Sequence, residues 1–278
     1  MVVLFLLFGR GGSGSSSGTC LTDLSAHLPG TAQVLFGTDL EAARSAGYDD
    51  DGALEDLGTS QEETGAIPDP LTEQFRYGQL ISAEKFTSQT GVESGQIQCS
   101  LSEARGTVMG GSFDVDAVSG SSVGDGGSLR ATDDRLAFTI GTADPKRFLE
   151  PRDDGGIGAN DDVAEVLESL LEGGSYSVLI QPGDPAADDE ARAAGLGVAT
   201  AEGDGRALVV AWSFADEDAA KAGRPDIVDR VNDALEGNTQ ITADDLMVDG
   251  TLVTAKIETR KAADLRAIRE ITLIPEGN

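Results

Sequence analysis

Between Asn160 and Gly174 the chain repeats apolar side chains at Val163, Val166, Leu167, Leu170 and Leu171, the i, i+3, i+4, i+7, i+8 spacing of one helix face. Asn160 offers a side-chain acceptor to the first turn and Gly173-Gly174 a stop, so the helix is bounded at both ends. Leaving five such side chains wet would forgo about 1.5–3 kcal/mol each. Any fold open to this chain must therefore lay a sheet or a second helix over that stripe, which makes it core and not a partner site.

Around the helix the period is two. Ile97, Cys99 and Leu101 alternate, and Gly106 to Phe113 reads as a second strand, with Asp114 placed to cap a helix. Leu129 to Ala131 and Leu136 to Ile140 form a hairpin about Asp133-Asp134, with Leu136, Phe138 and Ile140 on one face, and a short helix follows from Pro145 to Leu149. Beyond Gly174 come strands at Tyr176–Ile180, Leu196–Ala201 and Ala207–Phe214, the last with Leu208, Val210, Trp212 and Phe214 on one face, then a helix to Leu235. Asp249-Gly250 predicts a two-residue hairpin turn, after which Val253, Ala255 and Ile257 alternate with Thr254, Lys256 and Glu258. A final helix carries Leu265 and Ile268. Upstream, Leu21 to Gly30 is a short helix or turn, and Val34-Leu35-Phe36 leads into Leu40 to Arg44. Residues 49–69 read as an acidic surface loop, and 71–86 admit helix or strand.

Two stretches share one order. A strand, Ser112-Phe113-Asp114-Val115-Asp116-Ala117, a hairpin and a helix match a strand, Ser213-Phe214-Ala215-Asp216-Glu217-Asp218-Ala219, a hairpin and a helix. The expected fold class is therefore α+β: two ferredoxin-like β-α-β-β-α halves, residues 21–173 and 174–278, with antiparallel sheets and helices packed on one face. Residues 1–20 precede them as a signal or anchor remnant and a Gly/Ser tether.

That remnant is the apolar run Val2 to Phe8 followed by Gly9-Arg10-Gly11-Gly12-Ser13-Gly14-Ser15-Ser16-Ser17-Gly18. Seven apolar residues fall short of the roughly 20 a spanning helix needs, but they suit the end of a signal-peptide apolar region. Gly9-x-Gly11-x-x-Gly14 has the spacing of a dinucleotide fingerprint, yet a flexible Ser/Gly tract follows where a helix must begin, so the match is rejected.

Charge sets the environment. With 49 acidic against 20 basic residues the net charge is −29, and Lys is scarce beside Arg. Such a surface repels nucleic acid and anionic lipid, and its self-repulsion is relieved where molar salt cuts the Debye length to about 3 Å. Aspartate-rich, lysine-poor usage fits an extreme halophile; the alternative is a high-GC bacterium with acidic exported proteins. The aromatic fraction is only 5%, so Val, Leu, Ile and Ala must build the core around Trp212 and nine Phe.

In Gly111 to Ala117, in Asp134-Arg135-Leu136-Ala137-Phe138, and in Ala207 to Ala220 with the Asp249-Gly250 hairpin, the chain resembles the uncharacterised secreted, often lipid-anchored proteins of halophilic archaea. The likeness covers roughly residues 100 to 270. It implies an extracellular, membrane-tethered location and supplies no activity. Arg10 stands where that group carries a lipid-bearing Cys.

No residue set forms a catalytic, cofactor-binding or metal signature. His27 is the one histidine, reads as a surface or turn residue, and leaves no second imidazole for a zinc site. Cys20 and Cys99 either pair with each other or remain as a free or acylated Cys20 and a buried Cys99. The acidic clusters Asp49-Asp50-Asp51, Asp153-Asp154, Asp161-Asp162 and Asp188-Asp189 lack the Asp-x-Asp-x-Asp-Gly loop of a calcium site and read as solvated faces. The expectation is thus a non-enzymatic protein on the extracellular side of the cell membrane, reaching it only through the N-terminal tether. Its partner is a surface protein, for interaction or scaffolding; the alternative is a small solute or cation bound in the cleft between the halves.

Overall fold

The computed structural model describes residues 17–46, 87–88, 90–118, 122–123, 127–184, 190–201, 206–234 and 240–259. The apolar run and Gly/Ser tract through residue 16, the acidic loop 49–69, the segment 71–86 and the helix expected at Leu265 and Ile268 lie outside the described residues.

Among the described residues eleven strands form one antiparallel sheet. They are β1 (Leu35–Asp39), β2 (Ile97–Glu103), β3 (Gly106–Gly111), β4 (Ser122–Val123), β5 (Gly127–Ala131), β6 (Arg135–Ile140), β7 (Ser175–Pro182), β8 (Ala193–Thr200), β9 (Arg206–Ser213), β10 (Met247–Asp249) and β11 (Leu252–Thr259). Their order is β10-β11-β9-β8-β7-β1-β2-β3-β6-β5-β4. The helices are α1 (Ser17–Ser25), α2 (Leu40–Ser45), α3 (Val115–Val118), α4 (Lys146–Leu149), α5 (Asp161–Glu172) and α6 (Glu217–Ala234). The end of the expected tether is thus already helical, and Cys20 lies within α1.

The expectation of two ferredoxin-like halves is overturned by this single sheet. The cause is β1, whose Phe36 and Thr38 pair with Ser102 and Ser100 on one side and with Leu179 and Ser177 on the other. It joins a wing made of β2 to β6 to a wing made of β7 to β11. Among the described residues the expected cleft between separate halves is replaced by continuous backbone hydrogen bonding through the join. Part of the shared order is present as local structure: after β3 and after β9 the chain crosses a helix and returns as a hairpin pairing with that same strand, while the closing helix of the second stretch lies outside the described residues. The Phe113 and Phe214 amides donate to Asp133 and Thr251 in the corresponding turns, each at 2.9–3.0 Å.

Helices lie on both faces and not on one. On the first face α1 supplies Leu21 and Leu24, with Leu28 just after it, and α5 supplies Val163, Val166, Leu167 and Leu170; one core joins them to Leu35, Leu101, Val108, Val178, Ile180 and Val209. On the second face α6 covers Leu196, Leu208, Val210, Trp212 and Val253, while Val118 of α3 joins Met109, Leu136 and Phe138. The reason is legible in β8, where Ala193 through Ala199 are all buried, a strand with two dry faces. Gly195 makes room for α5: a Cβ there would lie 2.5 Å from Val166 Cγ1 and 2.7 Å from Leu170 Cδ1.

Two local readings hold. Asn160 accepts from the Val163 amide at 3.2 Å and α5 ends before Gly173-Gly174, with Val163, Val166, Leu167 and Leu170 of its stripe buried and Leu171 partly so. Asp114 accepts from the Asp116 and Ala117 amides at 3.1 and 3.2 Å. The last hairpin turns one residue later than expected, on Gly250 and Thr251, because Asp249 pairs with Leu252.

Candidate functional site

The middle of the second face differs chemically from its flanks. Registers carry one row from Met109 through Ser100 and Thr38 to Ser177 and Val198, and the next from Thr107 through Ser102 and Phe36 to Leu179 and Leu196. Five hydroxyls therefore sit between two apolar clusters, at the join of the wings. Thr38 and Ser177 are fully buried and Ser100 and Ser102 nearly so, whereas Thr107, Phe36 and Leu179 are half-buried. Ser102 and Thr107 hydrogen-bond each other at 2.8 Å. Among the described residues the Thr38 and Ser177 hydroxyls have no hydrogen-bond partner, a condition that costs about 1–3 kcal/mol for each buried polar group.

One end of this floor is closed by α2. Asp39 ends β1 and caps the helix, accepting from the Ala42 amide at 2.8 Å, and Ala43 packs on Tyr176 and Val198. Arg44 reaches β2, where both terminal nitrogens donate to the Ile97 carbonyl at 3.2 Å. Hydroxyls beside Phe36 and Leu179 can bind and orient a ligand by hydrogen bonds and apolar contact. An aliphatic hydroxyl does not titrate near neutral pH, so none of them is by itself a general acid or base.

A second polar group lies on the first face. Ser213 Oγ, fully buried, lies 2.7 Å from Asp162 Oδ1 and 3.2 Å from Glu165 Oε2, and Thr251 Oγ1 lies 3.0 Å from the same Glu165 oxygen. Both carboxylates stand one turn apart on α5, so they staple its start to the end of β9 and to the last hairpin. Sequence reasoning missed Glu165 and Thr251, because only the register of β9 and β11 brings them to one place.

The residues singled out from sequence do not converge. His27 is in a turn as expected but not on the surface: it is 3% exposed, with Nδ1 3.1 Å from the Phe148 carbonyl. Burial, and then the nearby Arg135 charge, hold its imidazole below the usual pKa. Cys20 and Cys99 form a disulfide with Cα atoms 6.2 Å apart, fastening α1 to β2. Asp154 closes a turn, accepting from the Gly156 amide at 2.9 Å, and that bond holds its carboxyl below the usual range. Asp161 and Asp162 occupy the first turn of α5; Asp49 to Asp51, Asp188-Asp189 and the Gly9-x-Gly11-x-x-Gly14 stretch lie outside the described residues. Among the described residues no group of three or more His, Cys, Asp or Glu side chains could hold a metal ion, and no helix is long and apolar enough to cross a membrane.

No family model and no curated protein matches the sequence. Among solved structures the chain is similar to the one titled "Structure of crystal form I of TP0453", at 9% identity and a TM-score of 0.42, covering 91% of this chain and 98% of that one. A likeness at that level contributes nothing to assigning a function.

Proposed function

We propose that this chain is an exported, salt-adapted, non-enzymatic binding protein, held at the outer side of a membrane by its N-terminal segment, that takes a small neutral or cationic solute over the hydroxyl floor of β2, β1 and β7. The observation that carries the reading is the pair of buried hydroxyls in the middle of the sheet, Thr38 and Ser177, that have no partner among the described residues. Buried hydroxyls such as these two are tolerated where a ligand completes their hydrogen bonds. The net charge of −29 disfavours anions, leaving neutral or cationic solutes. Export is supported by the Cys20–Cys99 bridge, since such bonds persist in oxidising compartments.

Thermal unfolding in molar KCl tests it, with calcium, magnesium, glycine betaine, free amino acids and simple sugars as probes. A solute at a hundred times its Kd stabilises by about 2.7 kcal/mol, or about 5–10 °C for a chain of this size. The expected result is such a shift in the wild type and its loss in a Thr38→Val, Ser177→Ala double variant. No shift with any probe, or an equal shift in the double variant, defeats the reading. A wild type that melts at the same temperature without added salt defeats the salt adaptation.

A second reading, interaction with another surface protein, is favoured by Met247. It is the one exposed large hydrophobic residue among those described, 65% exposed, and it lies on the edge strand β10, where a partner strand could add to the sheet.

A further inference from the structure

The chain's single histidine is buried at a mechanical junction. After α1 the chain turns through Ala26, His27 and Leu28, and this turn is bound to the loop that follows α4. The Arg152 amide donates to the Ala26 carbonyl and the Ile157 amide to the Leu28 carbonyl, each at 3.0 Å. His27 lies between these two bonds, with Nδ1 3.1 Å from the Phe148 carbonyl. A carbonyl only accepts, so Nδ1 carries the hydrogen and Nε2 is the bare nitrogen of a neutral ring. A proton arriving at Nε2 would place a full charge on a residue 3% exposed. Of the charges acting on it, Arg135 at the start of β6 opposes that proton, while Asp134 in the preceding turn and Asp23 on α1 favour it. The loop's own Arg152 and Asp154 are paired with each other at 3.4 Å. At its other end α1 is covalently fixed by Cys20 to Cys99.

We propose that His27 is a proton-operated latch: mild acid charges the ring and releases residues 26–28 from the 148–157 loop, while the disulfide keeps the start of α1 on the sheet. Because α1 and the Ile157 turn close the first-face core, release opens that core beside Leu28 without unfolding the sheet. The carboxyls of Asp134 and Asp154 are held below their usual range, so they stay ionised while the histidine titrates. In concentrated salt the charge contributions of Arg135, Asp134 and Asp23 are screened, whereas burial is not, so the latch keeps its direction there.

Hydrogen exchange at the Arg152 and Ile157 amides tests this in the full, oxidised chain in molar KCl, after correction for intrinsic exchange rates. Protection is expected to fall severalfold between about pH 7 and about pH 5, as the ring takes up its proton, and to stay flat in His27→Gln, whose side-chain amide can still donate to the Phe148 carbonyl. A flat wild-type profile, or the same fall in His27→Gln, overturns the proposal. Should His27→Gln fail to fold, the wild-type imidazole resonance decides, being unique in the spectrum. The latch requires the Ile157 amide signal to move with the ring titration, and a ring that titrates with that signal stationary refutes it.

Discussion

Reducing the Cys20–Cys99 bond isolates what the cross-link contributes, because both sulfurs remain in the folded chain and no cavity is left. The bonded residues are 79 apart in sequence. Closing a loop of that length removes about 15 cal/mol/K from the unfolded chain, worth about 4.5 kcal/mol at 25 °C if native contacts are unchanged. Those contacts have reason to persist, since Leu21, Leu24 and Leu28 remain buried against the sheet whether or not the sulfurs are joined. With a urea slope of about 3 kcal/mol/M, the reduced chain should unfold at a midpoint about 1.5 M lower, measured by the fluorescence of the buried Trp212 in molar KCl. The slope itself should rise slightly, because the uncrosslinked chain exposes more surface when unfolded. Oxidised and reduced midpoints that coincide would refute the argument. So would an unreduced chain whose two thiols alkylate freely, or one whose intact mass carries a lipid on Cys20.

Glu103, at the end of β2, has its carboxyl pKa raised by burial, and one oxygen lacks a hydrogen-bond partner among the described residues. The folded pKa thus lies above the unfolded value of about 4.3, so the fold carries the penalty of the charged form above the folded pKa and is relieved of it as pH falls. Glu103→Gln should melt higher than the wild type at pH 7, and the gap should close below about pH 4.3; a variant that melts lower at pH 7 contradicts the sign. Gly156 has φ +61°, and a Cβ there would meet the Leu28 and Ala26 carbonyl oxygens at 2.5 and 2.7 Å. Gly156→Ala should therefore lose about 1–3 kcal/mol in denaturant titration. Gly95→Ala, with nothing within 4 Å of its Cβ, should stay within about 0.5 kcal/mol of wild type.

What the sequence disclosed was local. The bounded helix at Asn160, the cap at Asp114, and the alternation through Leu208, Val210 and Trp212 are each decided by residues close in the chain. Pairing was hidden, because the partners of β1 lie at Ile97–Glu103 and Ser175–Pro182, far along the chain, and no local pattern says that five residues will bridge two wings. The second face was hidden for a different reason. Ala193 to Ala199 are small enough to be read as a one-sided strand, yet burial of every one of them demands cover on both faces. His27 was misjudged because a polar lead-in looks exposed until the loop at 148–157 folds over it. The hydroxyl floor is visible only through register, since Ser100, Thr38 and Ser177 mean nothing together until the strands align.

That floor can be explained in two ways, and they part on one substitution. Small side chains under α2 let the helix sit close to the sheet, and Thr38 and Ser177 could serve by size alone. Size does not account for their hydroxyls. Val has the shape of Thr without its hydroxyl, so a role in packing makes Thr38→Val neutral or stabilising, by up to about 1–3 kcal/mol for a buried group relieved of an unmet bond. Stability alone would therefore favour Val at position 38, as it does at Val178 on the opposite face and Val198 in the same row. Keeping Thr and Ser at the centre of the sheet, where an apolar cluster flanks them on either side, is a local cost with no folded-state return among the described residues. A solute that uses those hydroxyls supplies the return. The substitution should then raise the melting temperature of the free protein and remove its response to the solute together, and a variant that gained stability while keeping the response would return the floor to packing.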